Sequence, residues 1–144
     1  CVKVNGFACK AEMNVTEADF FFPGLAKPGV INNTLGSLVT TANVEKIPGL
    51  NTLGVSFSRI DYKVRGLNPP HTCPHAIEIL FVLDGQLDVG FITTTNKLIS
   101  RSIKKGEISV FPKGLVHYQK NCGDKPASVL YAFNRKLPGT FSVA

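Results

Sequence analysis

The sequence is poor in several residue types and patterns, and each scarcity excludes a class of protein. Its 144 residues include no tryptophan, one methionine and three histidines. No stretch reaches the roughly 18 consecutive apolar residues of a membrane-spanning helix. No basic and apolar signal sequence opens the chain, so we expect a secreted form of the protein to be this mature chain. Because 44% of the residues are hydrophobic, disorder is excluded and a single domain over residues 1–144 is predicted.

Long runs of like charge are also absent. Sixteen Lys and Arg residues against ten Asp and Glu residues give a net charge of +6, and the basic residues are scattered. This pattern predicts a soluble protein with a weak attraction to polyanions and no nucleic-acid partner. Phe57, Phe81 and Phe91 lie within alternating apolar patterns, so we expect them in the core and not on a base-stacking surface.

Cysteines are few, and only two of them are close in sequence. We expect Cys1 and Cys9 to form a disulfide near the start of the chain, with two free thiols as the alternative. Two glycosylation acceptor motifs begin at Asn14 and Asn32, in a polar region where loops are expected. Together these features predict an oxidising, extracellular compartment.

Residues 1–50 and 51–144 differ in pattern. The first part contains many Pro-Gly and Asn-Gly pairs and predicts an irregular arm. The second part alternates apolar and polar residues in short runs separated by turn residues, as in Ile77–Leu83 and Leu87–Phe91, and predicts an antiparallel sandwich or barrel. Asp84-Gly85, between these two runs, predicts a two-residue hairpin turn.

The scarce histidines suggest a metal site. In an extended strand His71 and Cys73 point to the same side, where an imidazole and a thiolate could bind one ion. Glu78 lies within an apolar run, where a carboxylate faces solvent, a partner charge or a metal. The odd spacing between Cys73 and Glu78 would place their side chains on opposite faces of one regular strand. Pro74 predicts an irregularity between them. Surface histidines and a solvent-facing Glu78 are the alternative.

Two longer segments identify a family. Residues 66–85, which contain Pro-Pro-His-Thr-Cys-Pro-His and Ile-Glu-Ile, closely resemble the first cupin box of plant germins and germin-like proteins. Residues 106–119, which contain Phe-Pro-Lys-Gly-Leu-Val-His, resemble their second box. The likeness extends over nearly the whole chain. It implies an all-β cupin jelly-roll barrel in a protein secreted into the plant cell wall. Germins continue into C-terminal helices that help to lock a hexamer made of three dimers, and we expect this chain to lack those helices.

The resemblance also implies a ligand set. Germins hold manganese through three histidines and one glutamate, which correspond here to His71, Glu78, His117 and, at the second histidine position, Cys73. His75 stands where the family commonly has arginine and is not counted as a ligand. Because a thiolate is a soft ligand, zinc, copper or iron become alternatives to manganese. One of the two asparagines that hold oxalate in germin-type oxalate oxidases matches Asn68.

The second of those asparagines is replaced by Ser58. We therefore expect oxalate oxidation to be absent or weak and regard superoxide dismutase activity as the candidate enzyme function, which a peroxide-sensitive Cys73 thiol would weaken. The alternatives are a non-catalytic wall or receptor-like glycoprotein and a barrel repurposed for a small metabolite. We expect a homo-oligomer, either a dimer or a hexamer, and an acidic cell-wall polysaccharide as a further partner. Cys122 is expected to be a buried thiol, with a Cys73–Cys122 bridge as the alternative.

Overall fold

The computed structural model describes residues 2–143 and is almost entirely β-structure. Twelve strands are present among these residues, in chain order β1 Lys3–Val4, β2 Phe7–Ala8, β3 Ser37–Ala42, β4 Ser56–Tyr62, β5 Leu67–Thr72, β6 Glu78–Asp84, β7 Gln86–Ile92, β8 Leu98–Lys104, β9 Ile108–Phe111, β10 His117–Lys120, β11 Ala127–Phe133 and β12 Phe141–Ser142. Three short 3-10 helices lie at Glu12–Asn14, Glu17–Phe20 and Pro48–Leu50. None of the helices in this part of the chain is long and apolar enough to cross a membrane.

Ten of the strands form two five-stranded antiparallel sheets. The back sheet has the order β3-β4-β11-β6-β9, and the front sheet has the order β12-β5-β10-β7-β8. Consecutive strands β6 and β7 belong to different sheets, as do β9 and β10, so the chain repeatedly crosses between the sheets. This arrangement confirms the expected all-β jelly-roll barrel.

The core lies between the two sheets. Leu80, Val82 and Val129 of the back sheet pack against Leu87 and Val89 of the front sheet, and all five side chains are buried. They come from strands that bury every second residue, as the pleat of a strand requires.

The alternating pattern correctly predicted strands, but the prediction that all three phenylalanines lie in the core was wrong for two of them. Phe57 and Phe81 are 48% and 40% exposed on the outer face of the back sheet, whereas Phe91 packs against the core. The opposite face of β6 is buried and carries Glu78 and Leu80. A strand with apolar residues on both faces does not itself show which face is internal.

The hairpin prediction at Asp84-Gly85 was wrong. Gly85 has a φ of +80° as a tight turn requires, but β6 and β7 do not pair with each other. A Cβ atom on Gly85 would lie 2.8 Å from both the Ala127 Cβ and the Pro126 carbonyl oxygen. Glycine therefore allows a close crossing from the back sheet to the front sheet.

The arm is less irregular than expected. Strand β3 lies within residues 1–50 but pairs with β4 along its whole length, so the barrel begins before the predicted boundary. Residues 25–29 are held on the back sheet by two side chains of β4, Arg59 and Asp61. Arg59 donates to the Leu25 carbonyl at 3.0 Å and to Asp61 at 2.9 Å, and Asp61 accepts from the Gly29 amide at 2.9 Å.

Candidate metal centre

Three side chains from three strands converge inside one end of the barrel. His71 near the end of β5 and His117 at the start of β10 are direct partners in the front sheet. Glu78 begins β6 in the back sheet. All three are buried, and one donor atom from each lies within 4.8 Å of the others. Two imidazoles and a carboxylate at this spacing form a group that can bind a metal ion.

Backbone carbonyls orient both imidazole rings. The Nδ1 atom of His71 lies 2.7 Å from the Pro69 oxygen, and that of His117 lies 2.9 Å from the Leu115 oxygen. Because a carbonyl only accepts hydrogen bonds, each Nδ1 carries a proton, and each Nε2 is turned toward the centre, where that of His117 lies 3.2 Å from Glu78 Oε2. Such second contacts fix the tautomer that a metal requires.

The Glu78 carboxylate has the properties of a metal ligand. Its Oε2 atom lies 3.2 Å from His117 Nε2, and its Oε1 atom is buried without a hydrogen-bond partner among the described residues. Burial is the largest influence and raises the pKa of Glu78, but His117, Cys73 and His71 together lower it further, so the net pKa lies below its ordinary value and the carboxylate is ionised at neutral pH. An ionised, unpaired oxygen is costly to bury, and a bound metal would remove that cost.

The protonation state of His71 also suits metal binding. Burial lowers its pKa, because the charged imidazolium loses hydration, and this effect exceeds the opposite influence of the Pro69 carbonyl. The ring is therefore neutral at neutral pH, which is the form that donates a lone pair to a metal. The donor set and its protonation fit a divalent transition metal.

Cys73 lies beside the three donors but is not a member of the group. It follows directly after β5 and is buried, and its sulfur lies 3.6 Å from the Thr140 hydroxyl. Burial, together with the nearby Glu78, raises the pKa of the thiol to about 12. In the absence of a cation the side chain is therefore a neutral thiol and not a reactive thiolate.

The other two sequence expectations for cysteine have different outcomes. Cys122 is exposed, so the expected buried thiol was wrong, and Cys73 and Cys122 are both free, which also excludes the alternative bridge. Asp88 hydrogen-bonds Cys122 and raises the pKa of its thiol.

Cys1 lies outside the described residues, and the disulfide with Cys9 stays a prediction. The Cys9 amide donates to the Val2 carbonyl at 2.9 Å, so the β1–β2 hairpin brings Cys9 next to the residue that follows Cys1.

A small cavity of about 80 Å³ adjoins the donor group. Asn68 and Ser58, the two positions compared with oxalate-binding asparagines, both line it. The Asn68 amide donates to the Gln119 side chain at 2.8 Å. Two lining residues, Tyr131 and Thr140, were missed by sequence reasoning, because only pairing across the sheets brings them near His71.

The remaining predicted positions lie on the surface. His75 is exposed and lies outside the donor group. Asn14 and Asn32 are both exposed. The turn at Pro74 is present, and beyond it the Asn134 side chain accepts a hydrogen bond of 2.7 Å from the Ile77 amide. Because the chain turns after β5 and enters the back sheet at Glu78, the parity of a single strand does not apply, and the carboxylate faces the two histidines from the opposite sheet.

Comparisons with known proteins agree with this geometry. The Cupin family description matches residues 23–144. The chain is 67% identical over 144 residues to germin-like protein subfamily 2 member 4 of Arabidopsis thaliana. The alignment covers 99% of this chain and 66% of that protein. The chain is also 66% identical over 142 residues to the rhicadhesin receptor of Pisum sativum, with 99% and 65% covered. The chain thus spans about two thirds of the length of these curated relatives.

A solved structure supports the same assignment. A recombinant oxalate oxidase in complex with glycolate superposes with a TM-score of 0.93 at 41% sequence identity, covering 99% of this chain and 72% of that one. The fold, the donor group and the sequence similarity all indicate the same family. The chain belongs to the plant germin-like proteins of the cupin family.

Proposed function

We propose that this germin-like cupin binds one transition-metal ion through His71, Glu78 and His117 and acts on superoxide. The observation that carries the proposal is the buried Glu78 Oε1 atom, which has no hydrogen-bond partner among the described residues, beside two imidazoles whose Nδ1 atoms contact backbone carbonyls and whose Nε2 atoms are turned toward the same centre. Manganese is the first candidate, and iron or copper are alternatives. Any of these ions would supply one-electron redox chemistry when bound.

Cavity size favours a very small substrate. A cavity of about 150 Å³ admits benzene, which has six heavy atoms. The cavity beside the donor group measures about 80 Å³, which suits a two-atom anion such as superoxide better than oxalate, which also has six heavy atoms. Ser58 replaces an amide by a shorter side chain whose hydroxyl reaches less far toward a second carboxylate, and this further supports weak or absent oxalate oxidation.

Cys73 is proposed as a fourth ligand when a thiophilic ion is bound. Its thiol lies near Glu78, and a metal that binds sulfur would displace the thiol proton. Zinc and copper gain more from a thiolate than manganese does. The metal content of the protein therefore reports directly on the role of this side chain.

The experiment is elemental analysis of purified protein, followed by a superoxide dismutation assay. We expect about one metal ion per chain, and loss of the ion in Glu78→Gln, which preserves the shape of the side chain but removes its charge. Glu107→Gln is the control, because Glu107 caps the Lys104 amide on the surface away from the centre. Retention of the metal by Glu78→Gln, or its absence from the unmodified protein, would contradict the proposal.

An extracellular location in the plant cell wall is part of the proposal. The exposed Asn14 and Asn32 side chains are accessible to glycosylation, and a Cys1–Cys9 disulfide requires an oxidising compartment. The net charge of +6 suits adhesion to acidic wall polysaccharide. Retention on polygalacturonate that salt does not weaken would contradict this electrostatic contact.

A receptor-like role without catalysis is the second candidate. The specific observation in its favour is the 66% identity to the rhicadhesin receptor of pea. A protein that carries a bound metal but shows no dismutation of superoxide would favour this candidate over the first.

A further inference from the structure

An open pocket of about 500 Å³ lies at the end of the barrel opposite the donor group. Leu67 at the start of β5 and Lys120 at the end of β10 line it, whereas His71 and His117 lie toward the other ends of the same two strands. Its volume is within the range of about 300–1,000 Å³ that is usual for ligand pockets. None of the three donor residues lines this pocket, so a ligand bound there is separate from the metal.

A buried asparagine makes the floor of the pocket rigid. The Asn121 side chain is fully buried and donates to the Lys63 and Lys125 carbonyls at 3.0 and 2.8 Å. Its oxygen accepts from the Gly123 amide at 3.0 Å, and its backbone amide donates to the Gly66 carbonyl at 2.8 Å. These bonds tie the turn between β4 and β5 to the loop between β10 and β11. The side chains around the pocket therefore project from a fixed backbone.

Two basic side chains line the pocket, and no acidic side chain does. Arg65 and Lys120 are both exposed, and neither has an ion-pair partner within 4.0 Å in the part of the chain that the structure describes. The backbone at Arg65 has a φ of +63°, a left-handed conformation that is unfavourable for an L-residue. Strained positions of this kind concentrate where a protein contacts a ligand. The strained turn thus holds an arginine without a counter-ion at the pocket.

The local charge favours a single carboxylate over a phosphate. Asp88 is the direct partner of Lys120 on the neighbouring strand and offsets part of its charge. Hydrogen bonds from Ser102 and Cys122 lower the pKa of Asp88, so its carboxylate is ionised at neutral pH. Arg65 therefore provides the uncompensated positive charge. A guanidinium pairs with one carboxylate through two parallel hydrogen bonds, whereas a doubly charged phosphate would leave negative charge in excess.

The rest of the pocket wall is partly apolar. Leu35 is exposed and Leu67 is half-buried, and Thr34 adds a hydroxyl group at the rim. A ligand that matches this wall combines an apolar face, hydroxyl groups and one carboxylate. A uronate sugar has this combination, since its ring presents C–H groups on its faces and hydroxyl groups at its edge.

We infer that this pocket binds a uronate unit of an acidic polysaccharide, with Arg65 as the partner of the carboxylate and Lys120 as a second cationic contact. The inference rests on the proposed attachment to acidic wall polysaccharide and assigns a site to it. It is independent of the metal centre.

The test is isothermal titration calorimetry of the protein with trigalacturonate at about 0.15 M salt, where exposed charges act over only about 8 Å. We expect the unmodified protein to bind. Arg65→Asn should bind at least about tenfold more weakly, because charge-assisted hydrogen bonds are lost. Asparagine tolerates a left-handed backbone, so this variant should keep the turn, and circular dichroism checks its fold.

The control is Lys97→Asn, which removes the same charge from the turn between β7 and β8 at the other end of the barrel. Lys97 is exposed, and its hydrogen bonds with Thr93 use only the backbone atoms of Lys97. This variant should bind trigalacturonate within about twofold of the unmodified protein, because its charge is screened from the pocket. Equal weakening by the two substitutions would show a diffuse attraction. The pocket would then be wrongly assigned, while the wall attachment stands.

Two further ligands test the chemical class. Inorganic phosphate carries charge without a ring, and triglutamate carries carboxylates without sugar rings, so both should bind more weakly than trigalacturonate. If either binds as tightly, the pocket is a general anion site and the uronate assignment is wrong. If the unmodified protein does not bind trigalacturonate, the inference is wrong, and retention on polygalacturonate then decides whether the proposed attachment is wrong as well.

Discussion

At the residue scale, Cys73 is the side chain that we propose influences the choice of metal. Its side chain is shorter than the histidine that germins have at this position, and its sulfur lies beside the three donors and not among them. We predict that Cys73→His raises the manganese content relative to zinc and raises superoxide dismutation, because an imidazole suits manganese better than sulfur does.

The measurement is metal content and dismutase rate on the same preparations. Cys122→Ser is the matched control, since Cys122 is exposed and free. If the Cys73→His variant gains no activity, the cysteine does not limit the site.

Gly85 shows how one residue can direct the path of the chain. Gly85→Ala should destabilise the protein by more than the roughly 1–2 kcal/mol that a left-handed backbone costs an L-residue, because the new Cβ also meets Ala127 and Pro126. Gly106→Ala is the control, since Gly106 has a φ of +86° but nothing lies within 4 Å of its Cβ position. Equal losses of unfolding free energy in the two variants would show that steric contact at the crossing is unimportant.

At the scale of elements, the arm depends on a buried ion pair of β4. Asp61 accepts from Arg59, from the Gly29 amide and from the Ser128 hydroxyl. Asp61→Asn should lower the free energy of unfolding by about 3–5 kcal/mol, because the buried Arg59 charge loses its counter-ion.

Chemical denaturation measures this loss. Asp84→Asn is the control, because Asp84 and its partner Lys105 are largely exposed at 3.9 Å and such pairs contribute only about 0–1 kcal/mol. If the two variants lose similar stability, the network does not anchor the arm.

For the whole molecule, the outer face of the back sheet has an apolar surface that the single chain leaves uncovered. Exposed residues of β4, β6 and β9 form it, namely Phe57, Ile79, Phe81, Ile108 and Val110. Contiguous apolar surface of this kind marks protein interfaces, and a second copy of the chain is the proposed partner.

We predict that Phe81→Lys weakens self-association. Because desolvating an unpaired lysine in an interface is costly, the midpoint of dissociation in analytical ultracentrifugation should move to higher protein concentration. Val30→Lys is the control, because Val30 is 88% exposed in the arm. A monomeric unmodified protein at all concentrations would contradict the proposed interface.

Strand positions could be predicted from sequence better than strand partners. The predicted run Leu87–Phe91 lies within β7, because period-two alternation and flanking turn residues are local signals. The pairing of β6 with β11 and β9 could not be predicted in this way. This pairing depends on contacts between residues far apart in the chain. The local sequence Asp84-Gly85 is compatible both with a hairpin turn and with a crossing between sheets, so it does not distinguish the two.

The sequence by itself predicted the all-β class from local periodicity, and its resemblance to the two germin boxes predicted the family and the candidate donor residues His71, Glu78 and His117. Only the tertiary structure decided that Glu78 faces inward and that the Cys73 sulfur lies beside the donor group. It also decided that Tyr131 and Thr140 line the cavity beside that group. The physical reason is that burial and hydrogen-bond partners arise from the packing of one sheet on the other.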